Sequence, residues 1–226
     1  MKQKLSLQML TLVLTLGFAS QAFADRDREF RKGRPRWAGN ERSERVRSIV
    51  TGQPAYGGSG CPAGTMNVTF APDFLSFTIL FDQFVAETSP DTKQRRDLMT
   101  CNAVIPIDIP KGMQMEITRV DFRGFVGLPG GSRANLHSVF NFLNRGRDGS
   151  RMNMRFQFAG PVMDNYEISS DVLETEVSPC GGPVRLRVVN QLKVVSRAKG
   201  QAATATIDSI DGASNAVYYV NWRACR

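Results

Sequence analysis

Arg185-Leu186-Arg187-Val188-Val189-Asn190-Gln191-Leu192-Lys193-Val194-Val195 reads with a period of two. Leu186, Val188, Leu192 and Val194 share one face, and Arg185, Arg187, Gln191 and Lys193 share the other. Side chains of an extended strand alternate between its two sides, so this run buries one face and solvates the other. Asn190 falls on the apolar face and needs hydrogen-bond partners if buried.

The same period recurs on either side. Met152, Met154, Phe156 and Phe158 alternate with Asn153, Arg155 and Gln157. Leu136, Phe140 and Phe142 alternate with Asn135, His137 and Asn141, and Tyr218, Val220 and Trp222 with Val217, Tyr219 and Asn221. Met113, Met115 and Ile117 share a face, but Val120 and Phe122 have the opposite parity. A bulge or bend between Ile117 and Val120 would restore both sets to one side. Phe74 to Val85 lacks clean alternation and reads as a central strand covered on both faces. Thr88 to Met99 is the best candidate for a helical turn, although Pro90 and its polar content favour a loop. Turn signals such as Pro110-Lys111-Gly112, Pro129-Gly130-Gly131-Ser132 and Gly181-Gly182-Pro183 separate the runs. The pattern predicts an all-β, antiparallel two-sheet sandwich, jelly-roll-like.

Lys2 and Lys4 precede an apolar run from Leu5 to Phe18, and Ala22-Phe23-Ala24 follows. That is the form of a cleavable export signal over 1–24, cut after Ala24. It places the protein in the medium or periplasm and leaves no transmembrane segment. Cys61, Cys101, Cys180 and Cys225 then meet oxidising conditions, where an even count at wide spacing reads as two disulfides. Zinc ligands come in closer pairs, so the spacing argues against a metal site. Pairing Cys61 with Cys101 and Cys180 with Cys225 brackets two local strand groups; nested and crossed pairings stay open.

The formal charge of +8 is uneven. Residues 25–50 hold nine basic and five acidic groups. This stretch has too little apolar surface to fold alone, so 25–57 reads as a basic, disordered arm or linker. Residues 58–226 read as a single sandwich domain.

No catalytic set stands out. His137, the only histidine, lies on the polar side of its strand, and no G-x-S-x-G elbow is present. Gly127 to Ser132 lacks the G-K-[ST] ending of a phosphate loop. Asp208-Ser209-Ile210-Asp211-Gly212 lacks most calcium ligands and reads as a strand ending in a turn. Asp82, Glu116, Asp121, Asp164, Glu167 and Glu176 are carboxylates from which a glycosidase pair would be drawn. Asp121 lies between Arg119 and Arg123 on one strand face, a pattern of structural ion pairs. No cofactor or metal is implied. The patch singled out is basic: Arg145, Arg147, Arg151 and Arg155 share one hairpin and suit an anionic polymer.

The cysteine contexts resemble a secreted family known as domain of unknown function 4360. The resemblance rests on Gly60-Cys61-Pro62, Phe77-Thr78-Ile79-Leu80-Phe81-Asp82 and Arg96 to Cys101. It continues through Val120-Asp121-Phe122-Arg123-Gly124, Ser178-Pro179-Cys180-Gly181, Asp208 to Gly212 and Trp222-Arg223-Ala224-Cys225. It implies an exported, disulfide-bonded, β-rich single domain and transfers no activity, cofactor or catalytic residue.

The reading is of a non-catalytic exported protein that binds extracellular or envelope polymers, an anionic glycan foremost, with nucleic acid disfavoured. The alternatives are a polysaccharide hydrolase or lyase, and a structural component of an outer cell layer. The sequence sets no oligomeric state.

Overall fold

The computed structural model describes residues 52–91, 94–144, 147–148, 151–207 and 216–225, with backbone alone at 144, 147–148 and 173–176. The stretch read as an export signal, the part of the expected arm up to residue 51, Arg145 and Asp208 to Gly212 lie outside the described residues. Among those described, every regular element is a strand. They are β1 (Ala55–Gly57), β2 (Met66–Phe70), β3 (Ser76–Phe81), β4 (Val85–Thr88), β5 (Arg96–Ile109), β6 (Met113–Leu128) and β7 (Arg133–Asn144). There follow β8 (Arg147–Asp148), β9 (Met152–Ala159), β10 (Val162–Val177), β11 (Gly182–Val195), β12 (Ala203–Thr206) and β13 (Ala216–Ala224).

Two antiparallel sheets pack face to face. The first runs β1-β5-β11-β7, with β8 and β9 both paired to β7. The second centres on β6, with β10 along one side and β13 and β12 along the other. β13 and β12 pair with successive stretches of β6, and β3 and β4 pair with them in turn, so each pair lies end to end. The chain alternates between sheets from β4 through β7 and from β9 through β12, as a jelly roll does.

The alternating residues read from the sequence fill the core. Leu186, Val188, Leu192 and Val194 of β11 are buried, as are Leu136, Phe140 and Phe142 of β7. They meet Phe77, Ile79, Phe122 and Tyr218 of the second sheet. The Tyr218 ring stacks on Phe77 at 4.8 Å and meets Phe140 edge-on at 5.9 Å. Asn190 is buried on the apolar face, as its parity requires, beside the Ser138 and Tyr218 hydroxyls. The three draw together without completing a well-formed hydrogen bond among these oxygens. Burial pushes the Tyr218 phenol up to about 12, against the pull of Ser138 and Asn190.

The predicted bulge is present. Tyr219 pairs with Arg119 but Val220 with Ile117, which leaves Thr118 unmatched. That extra residue returns Val120 and Phe122 to the core side with Met115 and Ile117. Two expectations are corrected. Phe74 to Val85 is not one strand covered on both faces: β3 ends at Phe81, and its burial alternates. The core covers one face of it, and solvent reaches the other. Among the described residues of Thr88 to Met99 there is no helical turn, and the loop that Pro90 favoured is short: Thr88 closes β4, and Arg96 already opens β5. Backbone pairing to β11 claims Arg96 to Met99, where local propensity was indifferent.

The cysteines pair as Cys61–Cys101 and Cys180–Cys225, with Cα separations of 5.4 and 5.8 Å. The first ties the segment before β2 to β5. The second ties the turn before β11 to the end of β13.

Candidate functional site

Arg155 lies on the outward face of β9, opposite His137 of β7. Arg147 lies on the short β8, paired with Asn144, and Arg151 is exposed just before β9. The hairpin inferred from sequence therefore exists. Among the described side chains of its arginines, Arg155 stands within the outer face of the first sheet.

Strand register assembles that face in rows. One row runs Arg96–Val195–Arg133–Ala159, and the next Leu98–Lys193–Asn135–Gln157. Then come Thr100–Gln191–His137–Arg155, Asn102–Val189–Val139–Asn153 and Val104–Arg187–Asn141. Pro106–Arg185–Leu143–Asp148 and Asp108–Pro183 close the series. The first five rows carry Arg96, Arg133, Arg155, Arg187 and Lys193 and no carboxylate, whereas Arg185 shares its row with Asp148 and is followed by Asp108. Among the described residues, Arg155, Arg185 and Lys193 have no ion-pair partner.

Amides separate the cations. His137 Nε2 lies 2.8 Å from Asn153 Oδ1, and His137 Nδ1 lies 3.3 Å from Gln191 Oε1. Arg187 Nε donates to Asn102 Oδ1 at 3.2 Å. Guanidinium and amide groups on a flat sheet offer spaced donors and acceptors, which suits a ligand with repeated hydroxyl and anionic groups.

The second sheet's outer face carries charge of a different kind. Arg119 donates through Nε and Nη2 to the two oxygens of Asp121 and through Nη2 to Ser169 Oγ at 2.8 Å. Its guanidinium lies 5.6 Å from the centre of the Tyr219 ring. Arg123 donates to Glu167 at 2.9 Å. Burial pushes the Asp121 carboxyl up, but hydrogen bonds from Arg119, Ser169 and Tyr219 and the charge of Arg119 hold it below its ordinary value. Burial, and then Asp121, raise the Tyr219 phenol. A glycosidase acid needs a carboxyl held protonated near neutrality. Asp121 is shifted the opposite way.

The segments around the cysteines have physical reasons of their own. A Cβ on Gly60 would lie 2.7 Å from the Phe84 ring, so Cys61 can approach only behind a glycine. A Cβ on Gly124 would lie 2.1 Å from the Thr206 carbonyl oxygen, which accepts the Tyr166 hydroxyl at 2.7 Å. The buried Ser178 hydroxyl accepts from Met115 N at 2.8 Å, which sets Cys180 beside the start of β6. Residues 48–225 match the family described as a domain of unknown function (DUF4360). The chain belongs to this family. A relative, an uncharacterized secreted protein of Arthroderma benhamiae, is 27% identical over 172 residues, 75% of this chain and 69% of the relative. With both cysteine pairs oxidised and a secreted relative, this member is an exported protein.

Solved structures are similar only in outline. TmCBM61 in complex with β-1,4-galactotriose is 11% identical, with a TM-score of 0.23, over 79% of this chain and 92% of that one. The enzymatically active domain of tailspike protein 4 from bacteriophage CBA120 is 15% identical, with a TM-score of 0.23, over 76% of this chain and 19% of that one. A Cry1Da tryptic core variant from Bacillus thuringiensis is 8% identical, with a TM-score of 0.25, over 74% of this chain and 23% of that one. Likeness at this level carries nothing about ligands.

Sequence reasoning found Arg155 and the polar face of β11 separately but did not join them. The signal was the shared period of two. Only the register shows that Lys193, Gln191 and Arg187 stand beside Asn135, His137 and Asn141.

Proposed function

We propose that this exported protein binds an anionic extracellular or envelope polymer, an acidic glycan in the first instance, across the outer face of the first sheet. One observation carries the reading: five cations, three of them in rows with amides, stand over five successive rows that hold no carboxylate. Such a face attracts polyanions from solution and leaves each cation available for contact. On the opposite face Arg119 and Arg123 are paired with Asp121 and Glu167. A Cβ on Gly52 would lie 3.5 Å from the Pro106 ring, so the chain enters the fold at the margin of the same face.

The test is retardation of the full exported protein in gels containing acidic or neutral polysaccharide. Retardation by the acidic polymer, lost in an Arg155→Gln, Arg185→Gln, Lys193→Gln variant, is the expected result. Equal retardation by neutral polymer, or full retention by the variant, would overturn it.

A further inference from the structure

Beyond the flat face, one end of the sandwich holds a cleft of about 210 Å³. It lies between the segment joining β4 to β5 and the segment joining β11 to β12. Its polar lining includes Ser89, Gln94, Arg95, Ser196, Lys199 and Gln201, with no carboxylate among the described residues. We infer that this cleft is a subsite for a single uronate sugar unit, which rests on the acidic-glycan reading above.

Size is the first argument. Pockets for larger organic ligands span roughly 300–1,000 Å³, so this one admits a single ring and not an oligomer. Charge is the second. Among the described residues, Arg95 and Lys199 are the charged groups of the lining, and both are cationic. A guanidinium matches a carboxylate through two parallel hydrogen bonds. The remaining polar groups are amides and hydroxyls, which can both donate and accept, as sugar hydroxyls require.

The walls are built before any ligand arrives. Ser196 N donates to Arg95 O at 2.9 Å, which ties the two segments together. The buried Ser196 hydroxyl meets Ser132 Oγ at 2.8 Å and accepts from Ala198 N at 3.2 Å. Thr88 Oγ1, also buried, accepts from Ala203 N at 3.2 Å. The cleft also continues the cationic face. Arg95 precedes Arg96 and Ser196 follows Val195, and Arg96–Val195–Arg133 is the last row of that face. A polyanion lying along the rows would run its end toward the cleft.

The experiment titrates the full exported protein with glucuronate, glucose and inorganic sulfate, followed by calorimetry. Glucuronate is expected to bind, glucose and sulfate at least tenfold more weakly. An Arg95→Gln, Lys199→Gln variant should lose glucuronate binding at least tenfold while keeping its thermal midpoint, because both residues are exposed. Lys199→Arg should retain it. Sulfate binding as tightly as glucuronate would reduce the cleft to a bare anion site and overturn the proposal. So would glucuronate binding that the double variant leaves unchanged. Failure of the two readings is separable. Gel retardation by polymer without glucuronate binding sinks the cleft alone, and glucuronate binding without retardation sinks the face alone.

Discussion

Arg119 holds Asp121 through two nitrogens, Nε at 2.7 Å and Nη2 at 3.2 Å. The carboxylate is almost fully buried, while half of the arginine side chain meets solvent. Two-point pairing of this kind fixes both groups and leaves neither charge seeking a partner. The first sheet has no counterpart to it among its described outer rows. The second sheet therefore holds Arg119 and Arg123 in ion pairs, while five successive rows of the first carry cations with no carboxylate in register, set by which residues the register places opposite each other.

Asp121→Asn should destabilise the fold by about 1–3 kcal/mol, the range for losing hydrogen bonds to a charged group. The pH dependence has a definite sign. The Asp121 carboxyl titrates lower in the folded state, so its contribution is present above the ordinary carboxylate range. It is lost as pH falls through the folded value. Urea midpoints measured from pH 6 to pH 3 should fall more steeply for the wild type than for Asp121→Asn. Parallel profiles would contradict this account.

Gly124 stands where β6, β10 and β12 crowd together. A methyl group there would meet the Thr206 carbonyl at 2.1 Å and the Tyr166 hydroxyl at 2.7 Å. Relief requires moving backbone, so Gly124→Ala should cost at least about 1–3 kcal/mol. Tyr166→Phe should cost about 1 kcal/mol, since it removes one hydrogen bond and keeps the ring. Chemical denaturation of the two single variants checks the order.

Tyr218 separates packing from hydrogen bonding. Its hydroxyl completes no well-formed bond, so Tyr218→Phe should change stability by less than about 1 kcal/mol. Its ring lies against Phe77 and Phe140, so Tyr218→Ala should cost about 3–5 kcal/mol. Similar losses from both variants would mean that the polar group, and not the ring, anchors the core.

The alternation in β11, β7 and β13 was legible because burial on one face imposes a period of two. The bulge at Thr118 was legible for the same reason, as a break in parity between Ile117 and Val120. β3 misled because Leu80 and Phe81 are both apolar, although only Phe81 faces the core. Arg96 to Met99 misled because a long strand can extend past its apolar part when β11 pairs with it throughout. The cationic face needed the pairing partners of β11, which are properties of register. The end cleft needed two segments about a hundred residues apart to meet, and no local signal in either one announces that.

The disulfides close sequence separations of 40 and 45 residues. Loops of that size restrict the unfolded chain, so replacing either pair by serines should cost about 2–5 kcal/mol. Cys61 and Cys101 sit in the core, whereas Cys180 is exposed. Mild reductant should therefore open Cys180–Cys225 first, as mapped by thiol alkylation. Simultaneous opening would show that reduction proceeds only through global unfolding.

Charge reversal distinguishes the two faces most directly. Lys193→Glu puts a carboxylate in a row that has none, beside Asn135 and Leu98. It removes one attraction and adds one repulsion, each worth up to about 1 kcal/mol at an exposed site. Affinity for an acidic polysaccharide should fall about tenfold at low salt, and the loss should shrink as salt screens the charges. Arg123→Glu makes the same change of charge on the opposite face, beside Glu167. If the polymer lies along the first sheet, that variant should bind within about twofold of the wild type, because the screening length of about 10 Å at 0.1 M salt hides a charge on the far side of the sandwich. Equal losses from the two reversals would point to net charge alone as the source of binding, and the register of the cationic rows would then have no role in it.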